Sequence, residues 1–334
     1  MHSAQDSTAI RPVMRGRTAL ELAFWLLAFA AILLFPRKLI ILNEIAILAL
    51  FALSLDLILG YAGVLSLGHA AFLGLGAYTA GLFAKHMNGD PLTGLAVSAA
   101  VTGLAGFLSS FLVLRGTDLT RLMVTLGLAL LLGEAANKAS WLTGGADGLQ
   151  GITMQPLFGQ FAFDLAGRTA YLYSLVTLLI LFLIARVIVA SPFGMALRAI
   201  RDNPLRARAI GVPVSHRLVT VYTIAAVYAG IAGALLAQTT QFVSLDVLEL
   251  HRSADVLLVL VIGGTGYLYG GIIGALAFKL LQDAIASATP QYWQFWIGLL
   301  LVILVLTGRE RIRAALTGIS RRLAFGRATA GSAP

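Results

Sequence analysis

Hydrophobic residues run along this chain in long blocks that short polar segments separate. A helix crosses the hydrocarbon core of a membrane when about 20 consecutive residues are predominantly apolar. Seven blocks approach that length, and each predicts one membrane-spanning helix: Leu20 to Phe35, Leu39 to Leu59, Val64 to Phe83, Leu92 to Leu114, Leu122 to Trp141, Tyr171 to Ala190 and Leu218 to Gln238. The pattern therefore predicts an all-α polytopic membrane protein.

A further block, Ser253 to Ile285, is too long for one ordinary span. Its middle reads GGTGYLYGG, from Gly263 to Gly271, and glycine permits the backbone angles at which a helix breaks. Broken backbone at membrane depth is tolerated where protein or a water-filled path surrounds it. We therefore predict a glycine-broken or re-entrant segment near residues 253–285, a last helix from Trp293 to Thr307, and about 8–10 transmembrane helices in all.

Composition supports this class of protein and excludes others. Hydrophobic residues make up 59% of the 334 and charged residues 12%, with a mean hydropathy of +0.89. Soluble domains have about 45–50% apolar and about 25% charged residues. The net charge of +9 comes from basic residues in short loops and at both ends of the chain, as in the cytoplasmic loops of membrane proteins. The sequence has no patch of basic and aromatic residues of the kind that binds a nucleic-acid strand. We therefore expect a lipid bilayer, and no nucleic acid, as partner.

The sequence offers no recognisable catalytic or metal-binding motif. It has no cysteine, and its five histidines lack metal-ligand spacing. The motifs G-x-x-x-x-G-K-[ST], H-E-x-x-H and G-x-S-x-G are all absent. We therefore predict no catalytic residue, no metal ion and no cofactor, and any ATP that the protein uses would be bound by another chain.

The distribution of lysine and arginine predicts the orientation. With the amino terminus inside, seven crossings place residues 115–121 and the basic segment 191–217 inside, and the loop 143–168, whose only basic residue is Arg168, outside. The predicted organisation is a cytoplasmic amino-terminal tail (1–19), a single transmembrane domain (20–308) and a basic cytoplasmic carboxyl-terminal tail (309–334).

Polar and small residues inside the spans are candidates for the lining of a translocation path or for a gate that closes it. A charged side chain within a membrane is costly, so it usually faces the interior of the helix bundle or such a path. A packed histidine, a neutralised Glu134–Lys138 pair and a helix-packing face of small residues are the structural alternatives. The loop Thr143 to Ile152 is either a flexible turn, or an external gate or docking surface. The candidates are Ser66, Gly68, His69, Gly74, Glu134, Gly144, Gly145, Asp147, Gly263, Gly264 and Gly266.

The segment Ser191 to Arg217 is a long basic interruption between two apolar blocks. Phe193 to Ile200 predicts a short amphipathic helix, Pro204 begins a second helical turn, and Gly211 with Pro213 ends it. By physical chemistry alone the segment is either a membrane-surface helix attracted to anionic lipid or a surface element that docks into a groove on a cytoplasmic protein.

Four ordered stretches resemble one known family. They are SPFGMALRAIRDNPLRARAIGV from Ser191, GYAGVLSLGHAAFLGLGAYTAG from Gly60, TGGADGLQGI from Thr143 and VLLVLVIGGTGYLYGGIIGA from Val256. They resemble the permeases of branched-chain (leucine/isoleucine/valine) amino-acid ABC importers, and the similarity covers about Asn43 to Thr307. The TGGADGL loop and the length of the chain resemble those of the M-type subunit more than those of its H-type partner.

This resemblance implies a permease that takes branched-chain or related amino acids from a binding protein into the bacterial cytoplasm by alternating access, within the inner membrane. It implies a heterodimer with a second related permease, two cytoplasmic ATPase subunits that hydrolyse the ATP, and a periplasmic or lipid-anchored substrate-binding protein. The alternatives are a urea or short-amide importer permease and an ion-coupled secondary transporter.

The resemblance also implies that the basic segment docks on an ATPase. The coupling residues would be Phe193, Gly194, Leu197, Arg198, Arg201, Asp202, Arg206, Arg208 and Gly211. Arg208 departs from the family pattern, because an acidic residue usually stands shortly before the glycine.

Overall fold

The computed structural model describes residues 11–164, 166–292, 295–299 and 302. Within these residues the secondary structure is helical, with isolated β-bridges and no strand, which confirms the predicted all-α class. Two short 3-10 helices cover Gly145–Asp147 and Leu245–Leu248. The α-helices are α1 (Arg11–Leu34), α2 (Leu39–Leu59), α3 (Ala70–His86), α4 (Pro91–Val113), α5 (Asp118–Lys138), α6 (Ser140–Thr143), α7 (Arg168–Ala190), α8 (Pro192–Asp202), α9 (Pro204–Ala209), α10 (Val214–Thr240), α11 (Leu250–Gly263) and α12 (Leu268–Ala288).

Six helices in the described part of the chain are long and apolar enough to cross a membrane: α2, α4, α5, α7, α10 and α12. The apolar part of α1, Glu21–Leu34, is shorter. Helices α3 and α11, with 17 and 14 residues, are also shorter than the six. The fold is thus that of a polytopic membrane protein.

Helix α3 begins at Ala70, so the predicted helical span from Val64 is wrong in its first part. After α2 the chain wraps around the helix end: the N–H of Val64 donates to the carbonyl oxygen of Ile58 at 2.9 Å, and Gly63 adopts a φ of 72°. Such a bond and a left-handed glycine are typical of a helix terminus. The apolar residues that follow lead into the bundle without helical structure.

The predicted glycine break lies between α11 and α12. Gly264 and Gly266 have φ values of 109° and 75°, which favour glycine. The two helices then approach closely, because a Cβ atom on Gly263 would lie 1.8 Å from the carbonyl oxygen of Gly270. The glycines therefore supply both the turn and the close packing that follows it.

Small residues also bring α3 and α10 together at the centre of the bundle. A Cβ atom on Gly76 would lie 2.1 Å from the carbonyl oxygen of Gly230, and one on Gly233 would lie 1.8 Å from that of Leu73. Helices in membranes pack through such small residues. Much of the glycine-rich stretch from Gly60 to Gly81 therefore forms a helix-packing face.

Two ends of the bundle can be distinguished. We call the end that holds α8, α9 and the end of α2 the α8 end. The opposite end holds the loop after α6, where Leu149 exchanges backbone hydrogen bonds with Val243, and the end of α3, where the N–H of Gln155 donates to the carbonyl oxygen of Gly89. Helix α3 runs toward the opposite end, and α11 runs toward the α8 end.

By its internal contacts the chain divides into two compact units, Met1–Ala277 and Phe278–Pro334. The boundary falls inside α12, and every candidate site residue lies in the first unit. Apart from residues 295–299, which are helical, most of the predicted last helix and the whole basic tail 309–334 lie outside the described residues, as do residues 1–10.

Candidate functional site

Helix α8 is a short amphipathic helix that lies against the bundle. Pro192 stands in its first turn, where a missing N–H costs nothing. Leu197 and Ile200 are buried on one face. Gly194 touches the end of α7, since a Cβ atom there would lie 2.3 Å from the carbonyl oxygen of Val189. The predicted helix is confirmed, and its apolar face is used to hold it in place.

The other face of α8 carries exposed basic and apolar groups. Met195 is 58% exposed. The Arg198 guanidinium lies 5.4 Å from the centre of the Tyr61 ring, and that of Arg217 lies 5.3 Å from the Phe193 ring. Tyr61 follows α2, and burial, with a smaller contribution from Asp56, raises its pKa to about 12, so that its ring stays neutral at physiological pH. Cation–π contacts of this kind fix the long arginine side chains on the surface.

Helix α9 follows at once and ends as predicted. The Asn203 side chain accepts hydrogen bonds from the N–H groups of Leu205 and Arg206 and so caps the helix. Gly211, with a φ of 86°, terminates it. Arg206 and Arg208 project from α9 as exposed side chains.

Arg201 joins α8 to the ends of other helices. Its Nη1 donates to the carbonyl oxygen of Gly60 at 2.6 Å, just beyond α2. A Cβ atom on Gly60 would lie 2.4 Å from the N of Gly266, whose N–H donates to the Asp56 carboxylate at 2.7 Å. Asp202, by contrast, is exposed and contacts only the Arg201 side chain at 3.3 Å among the described residues. The surface helix therefore contacts the end of α2 beside the glycine break.

A cavity of about 840 Å³ opens beside this junction. It lies between α8, α9, the start of α10 and the turn from α4 to α5, and its walls include Phe107 and Phe111. Its lining is rich in basic side chains, with one acidic side chain, Asp118. Arg208 is one of these basic residues, so the arginine that departs from the family pattern faces a basic cavity; the others are Arg115, Arg121 and Arg201, with His216 beside them.

The candidate path residues fall into separate groups. Ser66, Gly68, His69 and Gly74 lie around the start of α3, inside the bundle. Gly144, Gly145 and Asp147 lie in the loop at the opposite end, and Glu134 lies near that end of α5. Gly266 lies at the α8 end beside Asp56, with Gly263 and Gly264 just before it.

His69 is a packed and hydrogen-bonded side chain. It is 1% exposed, and its Nε2 lies 2.8 Å from the Ser54 hydroxyl. Its ring stacks on Phe51 with 5.5 Å between the ring centres and meets Phe72 edge-on. The neighbouring Gly68 is equally constrained, because a Cβ atom there would lie 1.9 Å from the carbonyl oxygen of Thr125 in α5. These contacts lock the start of α3.

Glu134 and Lys138 form an exposed pair on α5, with 3.7 Å between carboxylate and ammonium. In the loop after α6, Gly144 and Gly145 have positive φ values of 79° and 57°. The Thr143 hydroxyl accepts from the Gly145 N–H at 3.2 Å. The loop is thus an ordered turn that is fixed to the segment after α10 by the paired Leu149 and Val243 backbones.

Sequence reasoning missed one polar cluster, which lies just before and at the start of α11. Asp246, Glu249 and His251 place one ligand atom each within 4.8 Å of one another, which is a geometry that could hold a metal ion. Arg252, however, forms a salt bridge with Asp246, so a cation already occupies this carboxylate. The available signal was three charged residues and a histidine within seven positions between two apolar blocks.

These features define the class of protein. The described residues include six apolar helices of membrane-crossing length and a glycine break between α11 and α12, as in a multi-pass α-helical membrane protein. The family described as "Branched-chain amino acid transport system / permease component" matches residues 38–305. The chain belongs to this family.

Named relatives agree with this assignment. The high-affinity branched-chain amino acid transport system permease protein LivM of Salmonella typhimurium is 29% identical over 279 residues, which are 77% of this chain and 65% of the relative, and LivM of Escherichia coli gives the same values. The fructose import permease protein FrcC of Rhizobium meliloti is 27% identical over 80% of this chain and 76% of its own length. The chain thus spans about two thirds of the length of the LivM proteins. No solved structure matches it significantly.

Proposed function

We propose that the chain is a transmembrane permease subunit of an ATP-binding-cassette importer that moves branched-chain or related amino acids into the bacterial cytoplasm. The observation that carries the proposal is the family match over residues 38–305 together with the surface helix α8, which is joined to the bundle at Gly60. The name of the LivM relatives supports the substrate class. The relative named for fructose import shows that substrates differ among similar permeases.

In this function the chain works beside a second related permease in the inner membrane. Two cytoplasmic ATPase subunits dock on α8 and α9, and a periplasmic or lipid-anchored binding protein delivers the amino acid at the opposite end. The chain itself performs no chemical step. Its α8 end, with the basic cavity beside it, then faces the cytoplasm, as the lysine and arginine distribution predicts.

The exposed face of α8 suits a protein partner. Met195 and Leu205 are exposed apolar side chains on α8 and α9, and they alternate with exposed arginines. Such a combination fits a groove that is both apolar and acidic. The contact of Arg201 with Gly60 gives movement of α8 a direct connection to the end of α2.

Reconstitution of the complex in vesicles tests the proposal. With ATP and the ATPase subunits on the cytoplasmic side and the leucine-loaded binding protein on the other, we expect leucine to accumulate, and no uptake to occur when ATP is omitted. Uptake that proceeds on an ion gradient without ATP or ATPase subunits would identify a secondary transporter instead. Uptake of urea or a short amide in preference to leucine, with the matching binding protein, would reassign the substrate.

A further inference from the structure

The charged residues around the start of α11 form one continuous network. The Arg252 Nε donates to the Asp246 Oδ2 at 3.0 Å. The other oxygen of Asp246 lies 3.1 Å from the His251 Nε2, and the His251 Nδ1 lies 3.1 Å from the Glu249 Oε2. We call Asp246, Glu249, His251 and Arg252 the charged network. It contains two carboxylates, one guanidinium and one imidazole, which lies between the two carboxylates.

The charged network lies at the level of the start of α3, between the two ends of the bundle. The hydroxyl of Ser253, next to Arg252, accepts from the N–H of Ala70 at 2.9 Å, so both lie at the first residue of α3. From there α3 runs to His86 near the opposite end, a length of about 24 Å at 1.5 Å per residue. Leu248, between Asp246 and Glu249, packs against Gly74 of the same helix. Asp246 follows Val243 by three residues, which span at most about 10 Å, so the network extends from near the Leu149–Val243 pairing to the start of α3.

The network is also set back from the α8 end. His69, which precedes Ala70, bonds to Ser54 of α2. Ser54 lies five residues before the end of α2 at Leu59, about 8 Å along the helix axis. The start of α3 thus lies about 8 Å from the end of α2 and about 24 Å from the end of α3. The distance between these two ends is close to the thickness of a hydrocarbon core, which is about 30 Å, so the network lies at membrane depth.

These charges are exposed on the surface of the chain. The Arg252 and Asp246 side chains are 42% and 40% exposed, and that of Glu249 is 62% exposed. Charged side chains at membrane depth face a bundle interior or a water-filled path, because contact with hydrocarbon is costly. The surface that carries the network therefore faces water or polar groups within the assembled transporter.

We propose that the charged network is a recognition point of the translocation path for a zwitterionic α-amino acid, with Glu249 receiving the ammonium group and Arg252 the carboxylate. The inference rests on the proposed function. Arginine has five N–H donors in a fork that fits a carboxylate, and the two bonds to Asp246 use only part of this capacity. Glu249 is the most exposed carboxylate of the network.

His251 acts as a positioning residue between the two carboxylates. Both of its ring nitrogens face carboxylate oxygens, so both can donate only when the imidazole is protonated. In that form its positive charge lies between the Glu249 and Asp246 carboxylates and reduces the repulsion between them. Leu250, which is 42% exposed, supplies an apolar neighbour for an aliphatic side chain.

Transport by the complete complex in vesicles tests the ionic contacts. For Glu249→Gln and Arg252→Gln we expect leucine uptake to fall about tenfold or more, the factor that corresponds to one lost charge-assisted hydrogen bond. Assembly with the ATPases and ATP hydrolysis stimulated by the loaded binding protein should persist. Lys85→Gln, which removes an exposed charge near the other end of α3, should transport as the parent does. Parental uptake by both network variants would overturn the proposal.

A labelling experiment covers the case in which these variants assemble poorly. Because the chain has no cysteine, Glu249→Cys introduces a single thiol into it. With cysteine-free partner subunits, we expect a charged methanethiosulfonate to label this thiol and leucine during turnover to slow the labelling. Ile180→Cys, on an exposed apolar face of α7, should stay unlabelled. A Glu249→Cys thiol that stays unlabelled, or that labels at the same rate with and without leucine, would contradict the proposal.

The two hypotheses fail in different ways. If the unmodified complex shows no ATP-dependent leucine uptake, the proposed function is wrong. If that uptake is present and both network variants retain it, only the assignment of the network is wrong.

Discussion

Arg201 donates a hydrogen bond of 2.6 Å to the carbonyl oxygen of Gly60, across 141 positions of the sequence. The donor lies on a surface helix and the acceptor lies just beyond the end of a buried one. Gly63 packs against the same side chain, since a Cβ atom there would lie 2.8 Å from the Arg201 Cγ. One arginine thus connects the exposed α8 to the core of the bundle.

Removal of the hydrogen bond between Arg201 and Gly60 should uncouple movement of α8 from the helix bundle. For Arg201→Gln we expect normal assembly of the complex but a several-fold lower rate of transport per ATP hydrolysed, since the charge-assisted bond to Gly60 is lost. The measurement is leucine uptake and phosphate release in the same vesicles. Lys85→Gln is the control, because Lys85 is exposed near the opposite end and its removal leaves the Gly60 contact intact. An equal loss in both variants would mean that the Gly60 bond has no special role.

Charge reversal on the basic surface should prevent docking. When Arg198, Arg201 and Arg208 are replaced together by glutamate, we expect the ATPase subunits to dissociate during purification, because like charges at an interface oppose association. Substrate-stimulated ATP hydrolysis should be lost as well. Lys85→Glu, near the opposite end, tests whether charge reversal elsewhere on the chain has the same effect. Unchanged assembly and hydrolysis in the triple variant would contradict docking at this surface.

Asp56 stabilises the glycine break. Its carboxylate accepts from the Gly266 N–H at 2.7 Å and is fully buried. For Asp56→Leu we expect the stability to fall by about 1–3 kcal/mol, the cost of leaving a buried donor without its acceptor. The melting temperature of the purified protein measures the loss. Asp56→Asn keeps an acceptor oxygen and should lose less, so an equal loss in the two variants would point to the charge instead.

Close packing of α3 on α10 depends on Gly76. A methyl group at this position would meet the Gly230 backbone, which cannot rotate away, so we expect Gly76→Ala to reduce stability by about 1–3 kcal/mol. Gly127→Ala is the matched control, because no described atom lies within 4 Å of the added Cβ and alanine favours a helix. Thermal unfolding in detergent compares the two. A Gly76→Ala protein as stable as the Gly127→Ala protein would contradict the packing argument.

The sequence predicted those elements whose signals are local. Pro204 and Gly211 mark the bounds of α9 by their own backbone preferences, and the glycines from Gly263 mark the break between α11 and α12. Each of these residues acts within a few positions of itself. Prediction from spacing and composition therefore placed them correctly.

Other features depend on contacts between distant segments. The residues from Val64 to Gly68 are apolar enough for a span, but they are not helical. Gly63 has a positive φ after α2, and Gly68 packs against the backbone of Thr125 in the distant helix α5. The charged network was missed for a related reason. Its charges lie at the edge of a hydrophobic block, and its depth follows only from the bond between Ala70 and Ser253.

The bond from the Ala70 N–H to the Ser253 hydroxyl joins two helices that start side by side and run to opposite ends of the bundle. Each is too short to cross the membrane alone. Each helix start carries N–H groups that have no partner inside their own helix, and it carries a partial positive charge. Two such ends therefore meet at one level of the bundle, where the Ser253 hydroxyl supplies an acceptor for the first N–H of α3. The bundle thus has a positive electrostatic potential at this level that comes from the backbone itself.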